Sequence, residues 1–334
     1  MSVLLHRRHF VRGTGIALAA ACGMPRLLHA APSTSSWPNR PVRLIVVYPP
    51  GGVSDGMARA LAEPLARSLG VPVLIENRPG AGGSLGMDAL ARSTPDGSTL
   101  AFSAISPLTL HPLLARVPYD PMRAFVPVAS VMRTPVLVVG TPAFTGRGFG
   151  ELIAQARRQP GEVRWATSGV ATIGHLVLAQ VRAQSGADIT HIPYQGGGPQ
   201  LNDALSGQFE VLSTNVAAQQ LQYIESGRLQ ALAVGAPARV AALLAVPTLA
   251  ELGFERANFD SLFGIFAPAR TPPAVVQRLN AEINRVLRGE TLRAWLRGAY
   301  NIPAEGSTEE FAREIAADRR RNPDLVVGNR SQFD

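Results

Sequence analysis

Short apolar runs that end in glycine- or proline-rich turns and lead directly into helical patterns recur along this chain, and few architectures accommodate that alternation. Val42–Tyr48 (Val-Arg-Leu-Ile-Val-Val-Tyr) has the near-continuous hydrophobicity of a strand buried on both faces. It breaks at Pro49-Pro50-Gly51-Gly52, after which Met57, Leu61, Leu65 and Leu69 recur at helical spacing. A second strand, Val73–Glu76, ends in the turn Asn77–Gly83, and a helix opens near Ser84. Leu100–Ser103 reads as a third strand, and Val126–Val139 as two more around Arg133-Thr134-Pro135. The alternation then restarts, with strands at Arg164–Thr167, Thr190–Ile192, Phe209–Ser213 and Leu229–Val234. Helices are expected between and around them at Gly148–Arg158, Thr172–Gln184, Gln200–Ser206 and Ala217–Ser226. Two such series predict an α/β protein of two lobes, each a mostly parallel sheet flanked by helices. Lobe one starts with residues 37–135, and 136–250 form lobe two. Residues 251–334 carry one strand (Leu262–Ala267) among the helices Pro272–Leu287, Thr291–Arg297 and Thr308–Arg320, and are expected to return and complete lobe one.

Composition removes most chemistries. The chain has no lysine, so all 32 basic residues are arginine. That excludes a Walker-type phosphate loop, a pyridoxal Schiff base and a Ser-x-x-Lys acyl-transfer centre. The single cysteine, Cys22, excludes disulfides, thiolate zinc sites and redox pairs. Only His111, His175 and His191 lie beyond the first 31 residues, and no His-Glu-x-x-His motif joins them. No metal, no cofactor and no catalytic residue are expected. Of the formal +8 charge, four arginines (Arg7, Arg8, Arg12, Arg26) lie before Ala31; past it, 28 Arg oppose 24 Asp+Glu, and they are scattered. A nucleic-acid binder would carry a basic stripe, so that class is set aside.

Residues 1–31 read as a cleavable export signal: a basic start, the apolar run Gly13–Cys22, and small residues at Ala30 and Ala31. Within it, His6-Arg7-Arg8-His9-Phe10-Val11-Arg12 matches a twin-arginine pattern better than an ordinary Sec leader, the other route open to it. A lipoprotein site at Cys22 would need Leu three residues earlier, and Leu18 sits one position too far back. No later apolar run approaches the ~20 residues of a membrane span. The expected mature protein is periplasmic and monomeric.

Three glycine-rich turns follow strands and feed helices: Pro49–Asp55, Thr167–Thr172 and Tyr194–Pro199. Glycine admits close backbone approach, and a helix N-terminus offers unpaired N–H groups and a positive dipole end, which together suit an anion. Ser54, Ser168 and Thr172 add hydroxyls. Each turn alone could be an ordinary capped turn; three at strand carboxyl ends in both lobes point to a shared crevice. A β-carbon at Gly52 is expected to obstruct the ligand and strain the backbone. Gly82-Gly83-Ser84-Leu85-Gly86 fits the G-x-S-x-G nucleophile elbow, but the turn is long, and His191, with Asp188 or Glu162, is a poor source for the rest of a triad. Ser84 is therefore assigned to helix capping. His175 reads as a structural histidine, and Trp37, Trp165 and Trp295 are too dispersed for a stacking cage.

At these loops the chain resembles a known family. Trp37-Pro38-Asn39-Arg40-Pro41-Val42-Arg43-Leu44-Ile45-Val46 and Pro49-Pro50-Gly51-Gly52-x-x-Asp55-x-x-Ala58-Arg59 are followed by Glu76–Gly83, Pro193-Tyr194-x-Gly196-Gly197 and Asp203-x-x-x-Gly207-Gln208. Gly227–Val234, Pro247-Thr248-Leu249-x-Glu251-x-Gly253 and Ala267–Pro272 complete the set. In this order the blocks, from Trp37 to about Phe311, resemble the Bug family, periplasmic substrate-binding receptors of tripartite tricarboxylate transporters. The resemblance implies a two-lobed type II periplasmic-binding-protein fold that closes on a small mono-, di- or tricarboxylate and hands it to membrane transporter subunits. It places the ligand against Gly51, Gly52, Val53, Ser54 and Asp55 on one side and Ser168, Gly169, Gly197 and Gly198 on the other, with Ser106 at the tip after the third strand. Gln195, Leu262 and the tail Arg319-Arg320-Arg321-Asn322-Pro323 depart from the family pattern. A receptor reporting to a membrane sensor kinase, or an exported hydrolase using Ser84, are the alternatives.

Overall fold

The computed structural model describes residues Trp37–Phe333, which form one compact unit; the export-signal expectations fall on residues 1–31, outside the described residues. The elements in chain order are β1 (Val42–Val46), α1 (Val53–Leu69), β2 (Val73–Asn77), α2 (Ser84–Ala91), β3 (Thr99–Ala104), α3 (Ser106–Thr109), α4 (His111–Leu114) and β4 (Phe125–Gly140). There follow α5 (Phe149–Arg158), β5 (Arg164–Thr167), α6 (Ile173–Ser185), β6 (Thr190–Pro193), α7 (Gly197–Leu205), β7 (Val211–Asn215), α8 (Ala218–Glu225) and β8 (Gln230–Gly235). The chain ends with β9 (Asp260–Pro268), α9 (Pro273–Leu287), α10 (Glu290–Gly298), β10 (Ile302–Pro303) and α11 (Thr308–Val326).

The two series build two half-sheets on one plan. In the first, β2-β1-β3 run parallel, and β9 lies antiparallel between β3 and β4. In the second, β6-β5-β7 run parallel, and β4 lies antiparallel between β7 and β8. This is the two-lobed α/β fold. Each parallel set is covered by helices whose apolar stripe matches its strands. Met57, Leu61 and Leu65 of α1 are fully buried in one cluster with Leu44 and Val46 of β1.

Residues 125–140, expected as two strands, form the single strand β4. Up to Pro135 it pairs with β9, and from Val136 it pairs with β7 and β8. Register shifts at Pro127/Ala129, Ser130/Met132 and Val138/Val139 let one strand bend from one half-sheet into the other. The end of the chain does not remain with the first lobe. After α11, Leu325, Val326 and Phe333 join the second lobe's core, the Gln180 amide donates to the Leu325 carbonyl (2.9 Å), and Arg182 donates to that of Gln332 (2.8 Å). Phe254, Ala257 and Phe259 belong to that core too, so the return to the first lobe begins with β9.

Candidate functional site

The carboxyl ends of the parallel strands in both half-sheets face one cavity. It is walled by Tyr48, Pro49, Gly52, Val53 and Ser54 after β1, by Ala104 and Ser106 after β3, and by Ser168, Thr172, Ile173 and Gly174 after β5. Gly196 and Gly197 at the start of α7, Ser213, Thr214 and Asn215 at the end of β7, Gln220 on α8, and Ser261 and Phe263 on β9 close it. No Arg, His, Asp or Glu lines this cavity. With no charged side chain in the wall, positive potential can come only from backbone: α1, α6 and α7 begin at the wall, α8 (Ala218–Glu225) reaches it at Gln220, and the first-turn N–H groups of a helix lack intrahelical partners. Seven Ser/Thr residues line it, Ser54, Ser106, Ser168, Thr172, Ser213, Thr214 and Ser261, of which Thr172 and Ser213 already donate to the Gly169 and Gly174 carbonyls. Such a site offers donors without a counter-ion, the arrangement that suits a small anion.

Local sequence explains each wall. Gly51 adopts φ +83, a conformation that side chains disfavour, and turns the chain from β1 into α1. Asp55 lies at the third position of α1 and is 6% exposed; its carboxylate accepts from the Gly51 N–H (3.2 Å), Arg59 Nε (3.0 Å) and Asn77 Nδ2 (2.9 Å). Burial works to raise the Asp55 carboxyl, but those hydrogen bonds outweigh it and hold the group below its ordinary range. Asp55 thus braces the loop. On the opposite wall Thr172 caps α6 by accepting from the His175 N–H (3.4 Å) and donates to the Gly169 carbonyl (2.8 Å). Two stacked histidines stand behind that loop, ring centroids 4.1 Å apart: His175 Nδ1 accepts from the Ala171 N–H (3.1 Å), and His191 Nε2 contacts Thr167 Oγ1 (2.7 Å). Burial pushes His175 down to about 3 and His191 to about 4, with Arg182 adding to both, so both rings are neutral.

The lobes touch through backbone and glycine. A β-carbon at Gly82 would lie 2.6 Å from the Val170 carbonyl, one at Gly198 3.0 Å from the Pro50 carbonyl, and one at Gly196 2.3 Å from Pro49. Of the residues singled out from sequence, Gly52, Val53, Ser54, Ser106, Ser168 and Gly197 line the cavity. Gly51 and Gly169 line cavities on either side of it, Gly198 packs on Pro50, and Asp55 serves the loop. Gly52 departs from expectation: its φ is −87 and a β-carbon there meets nothing within 4 Å, so no backbone strain attaches to it. Tyr48, Ser213–Asn215, Gln220 and Ser261 were not foreseen. The polar run Ser213-Thr214-Asn215 closing an apolar strand was the one available signal. Among the described residues, no cluster of His, Cys, Asp or Glu could hold a metal.

Comparison with known proteins agrees with this geometry. Residues 57–328 match the family model described as "Tripartite tricarboxylate transporter family receptor". The chain belongs to this receptor family. Protein BugT of Bordetella pertussis is 40% identical over 266 residues, 79% of this chain and 81% of that protein. The periplasmic binding protein BugD superposes with a TM-score of 0.83 at 27% identity, covering 88% of this chain and 98% of that one. The R. palustris protein Rpa4515, solved with adipate, superposes at 0.82 with 30% identity, covering 87% and 97%. The chain is thus a solute-binding receptor by family, and its relatives are binding proteins.

Ser84 corrects one expectation. The N-cap of α2 is Gly83, and Ser84 makes no capping bond. Its hydroxyl instead contacts His111 Nδ1 (2.5 Å) and the Tyr119 hydroxyl (3.1 Å), and the residue is 2% exposed. The histidine beside it is His111, not His191. Burial lowers His111 too.

Proposed function

We propose that this receptor binds a small carboxylate in the cavity between its lobes, without catalysing its conversion, and delivers it to a membrane transporter. The observation that carries the reading is the uncharged cavity where the first turns of four helices and seven Ser/Thr residues meet. The adipate held by a family member supports it. An ammonium ligand would face the wrong end of every helix dipole and find no carboxylate in the wall. The anion bridges the lobes, so binding shifts an open–closed equilibrium.

In a thermal-shift screen, mono- or dicarboxylates should raise the melting temperature of the mature chain, while amines of matched size should not, since only a ligand of the native state stabilises it. Ser84→Ala should keep carboxylate affinity within about threefold and lower stability by about 1–2 kcal/mol through the lost buried hydrogen bonds. Ester hydrolysis by the parent that vanished in this variant would restore the hydrolase reading. Tyr119 and the buried position of Ser84 support a structural role, and among the described residues the recorded hydrogen-bond partner of the His111 ring is Ser84, not a carboxylate.

For export, we infer a periplasmic destination through the twin-arginine route, on the strength of Arg7-Arg8 and Phe10. Replacing Arg7 and Arg8 together by Lys should abolish export in a fractionation assay. Normal periplasmic yield of that variant would show Sec export instead.

A further inference from the structure

The carboxylate cavity has a free volume of about 50 Å³. It is flanked on each side. Beyond Tyr48 lies a cavity of about 300 Å³ that includes His111. Tyr48, half-buried, lies between the two, with Ser103 and Ser106 near its hydroxyl. Beyond Gln220 lies a different space of about 380 Å³, open to solvent on its outer side. It shares Gly52, Val53 and Gln220 with the central cavity, and no charged residue lines it. Its walls are mostly glycine and alanine from in and around α1, α8 and α10, with Val53, the amides of Gln219 and Gln220, and Trp295 as its one aromatic side chain. The helices thus place Trp295, isolated in sequence, beside the ligand cleft.

We propose that this annex, entered past Gln220 and walled by Trp295, receives the apolar tail of a carboxylate whose head occupies the central cavity, so that the ligand class extends to alkyl- and aryl-carboxylates. The inference rests on the carboxylate reading above and adds a second subsite to it. Three observations carry it. The annex has several times the free volume of the central cavity and shares its wall. Apart from Gln219 and Gln220 the lining is apolar, and none of it is charged, so a charged extension would lose hydration there without gaining a counter-ion. The partition itself is poorly held: Gln220 is 6% exposed, and its buried Oε1 has no hydrogen-bond partner. A buried amide left unsatisfied is costly, and rotation about its side chain opens the passage while giving the amide a carboxylate or water to bond.

Calorimetric titration of the mature chain tests the proposal. Succinate and adipate report the head site; butanoate, hexanoate, octanoate and 4-phenylbutanoate report the annex. Affinity is expected to rise about threefold for each added methylene along the monocarboxylate series, from the transfer of each CH₂ out of water. Trp295→Ala should reduce the gain between butanoate and octanoate to less than threefold and leave the dicarboxylates within twofold. Gly298→Leu provides a second variant: a β-carbon there meets no atom within 4 Å, so the side chain fills open annex space with the fold intact. It too should abolish the chain-length dependence alone. A flat series, or a gain that survives both variants, overturns the annex while dicarboxylate binding leaves the head-site reading standing. Absence of binding by every one of these acids overturns that reading and the annex with it.

Discussion

Gly196→Val should lower carboxylate affinity by at least a hundredfold in a protein that still folds. Gly196 sits at φ +128, where a residue with a β-carbon is strained by about 1–3 kcal/mol, and the added carbon would lie 2.3 Å from Pro49 Cγ and 2.4 Å from its Cδ. The proline ring cannot rotate out of the way. Pro49 belongs to the loop after β1 and Gly196 to the turn before α7, so the overlap is between the two lobes and is relieved by separating them. The binding energy must then overcome the clash before the anion can touch both walls; a hundredfold corresponds to about 2.7 kcal/mol. Gly52→Ala is the control. Its φ of −87 and open surroundings leave the fold unstrained, and any lost affinity would report only the space the ligand needs. Calorimetry gives the affinities, and small-angle scattering should show a larger radius of gyration for Gly196→Val with ligand present. Affinity within threefold of the parent would mean that this contact need not form for binding.

Acid should weaken the fold before its carboxylates titrate. His175 and His191 are held neutral, with folded pKa values near 3 and 4 against an ordinary 6.5. Because the folded values are depressed, the unfolded chain takes up protons first as pH falls. The stability is therefore full above pH 6.5 and is lost progressively below it, toward the folded values. For His175, which is fully buried, the loss is on the order of 2 kcal/mol at pH 5. A proton on Nδ1 would also remove the acceptor of the Ala171 N–H and set two charged rings in a stack, loosening the loop that carries Ser168 into the cleft. Chemical denaturation at several pH values between 5 and 7 measures this slope. His175→Gln keeps an acceptor near Ala171 and should be less stable than the parent at pH 7 but have a shallower slope. An unchanged slope would assign acid sensitivity to other groups.

The sequence by itself determined the architecture and one face of the site. Strand, glycine turn and helix are decided within a few residues, so the apolar run before Pro49 and the helical spacing from Met57 to Leu69 were legible without tertiary information. Because ligands in such sheets sit at strand carboxyl ends, the turns that hold Gly52, Ser54, Ser168 and Gly197 stand out from sequence, whereas Ser106 came only from the family resemblance. Two expected strands became the single β4 because bulges and a change of partner at Pro135 are matters of pairing, which no local pattern encodes. Tertiary packing alone brought His111 to Ser84, laid the residues after α11 on the second lobe, and set Ser261, Gln220 and Trp295 around one cleft. Periodicity and turn chemistry act between neighbours along the chain. A cleft between lobes is made by residues far apart in sequence, whose side chains carry no mark of what they will face until the two half-sheets are joined.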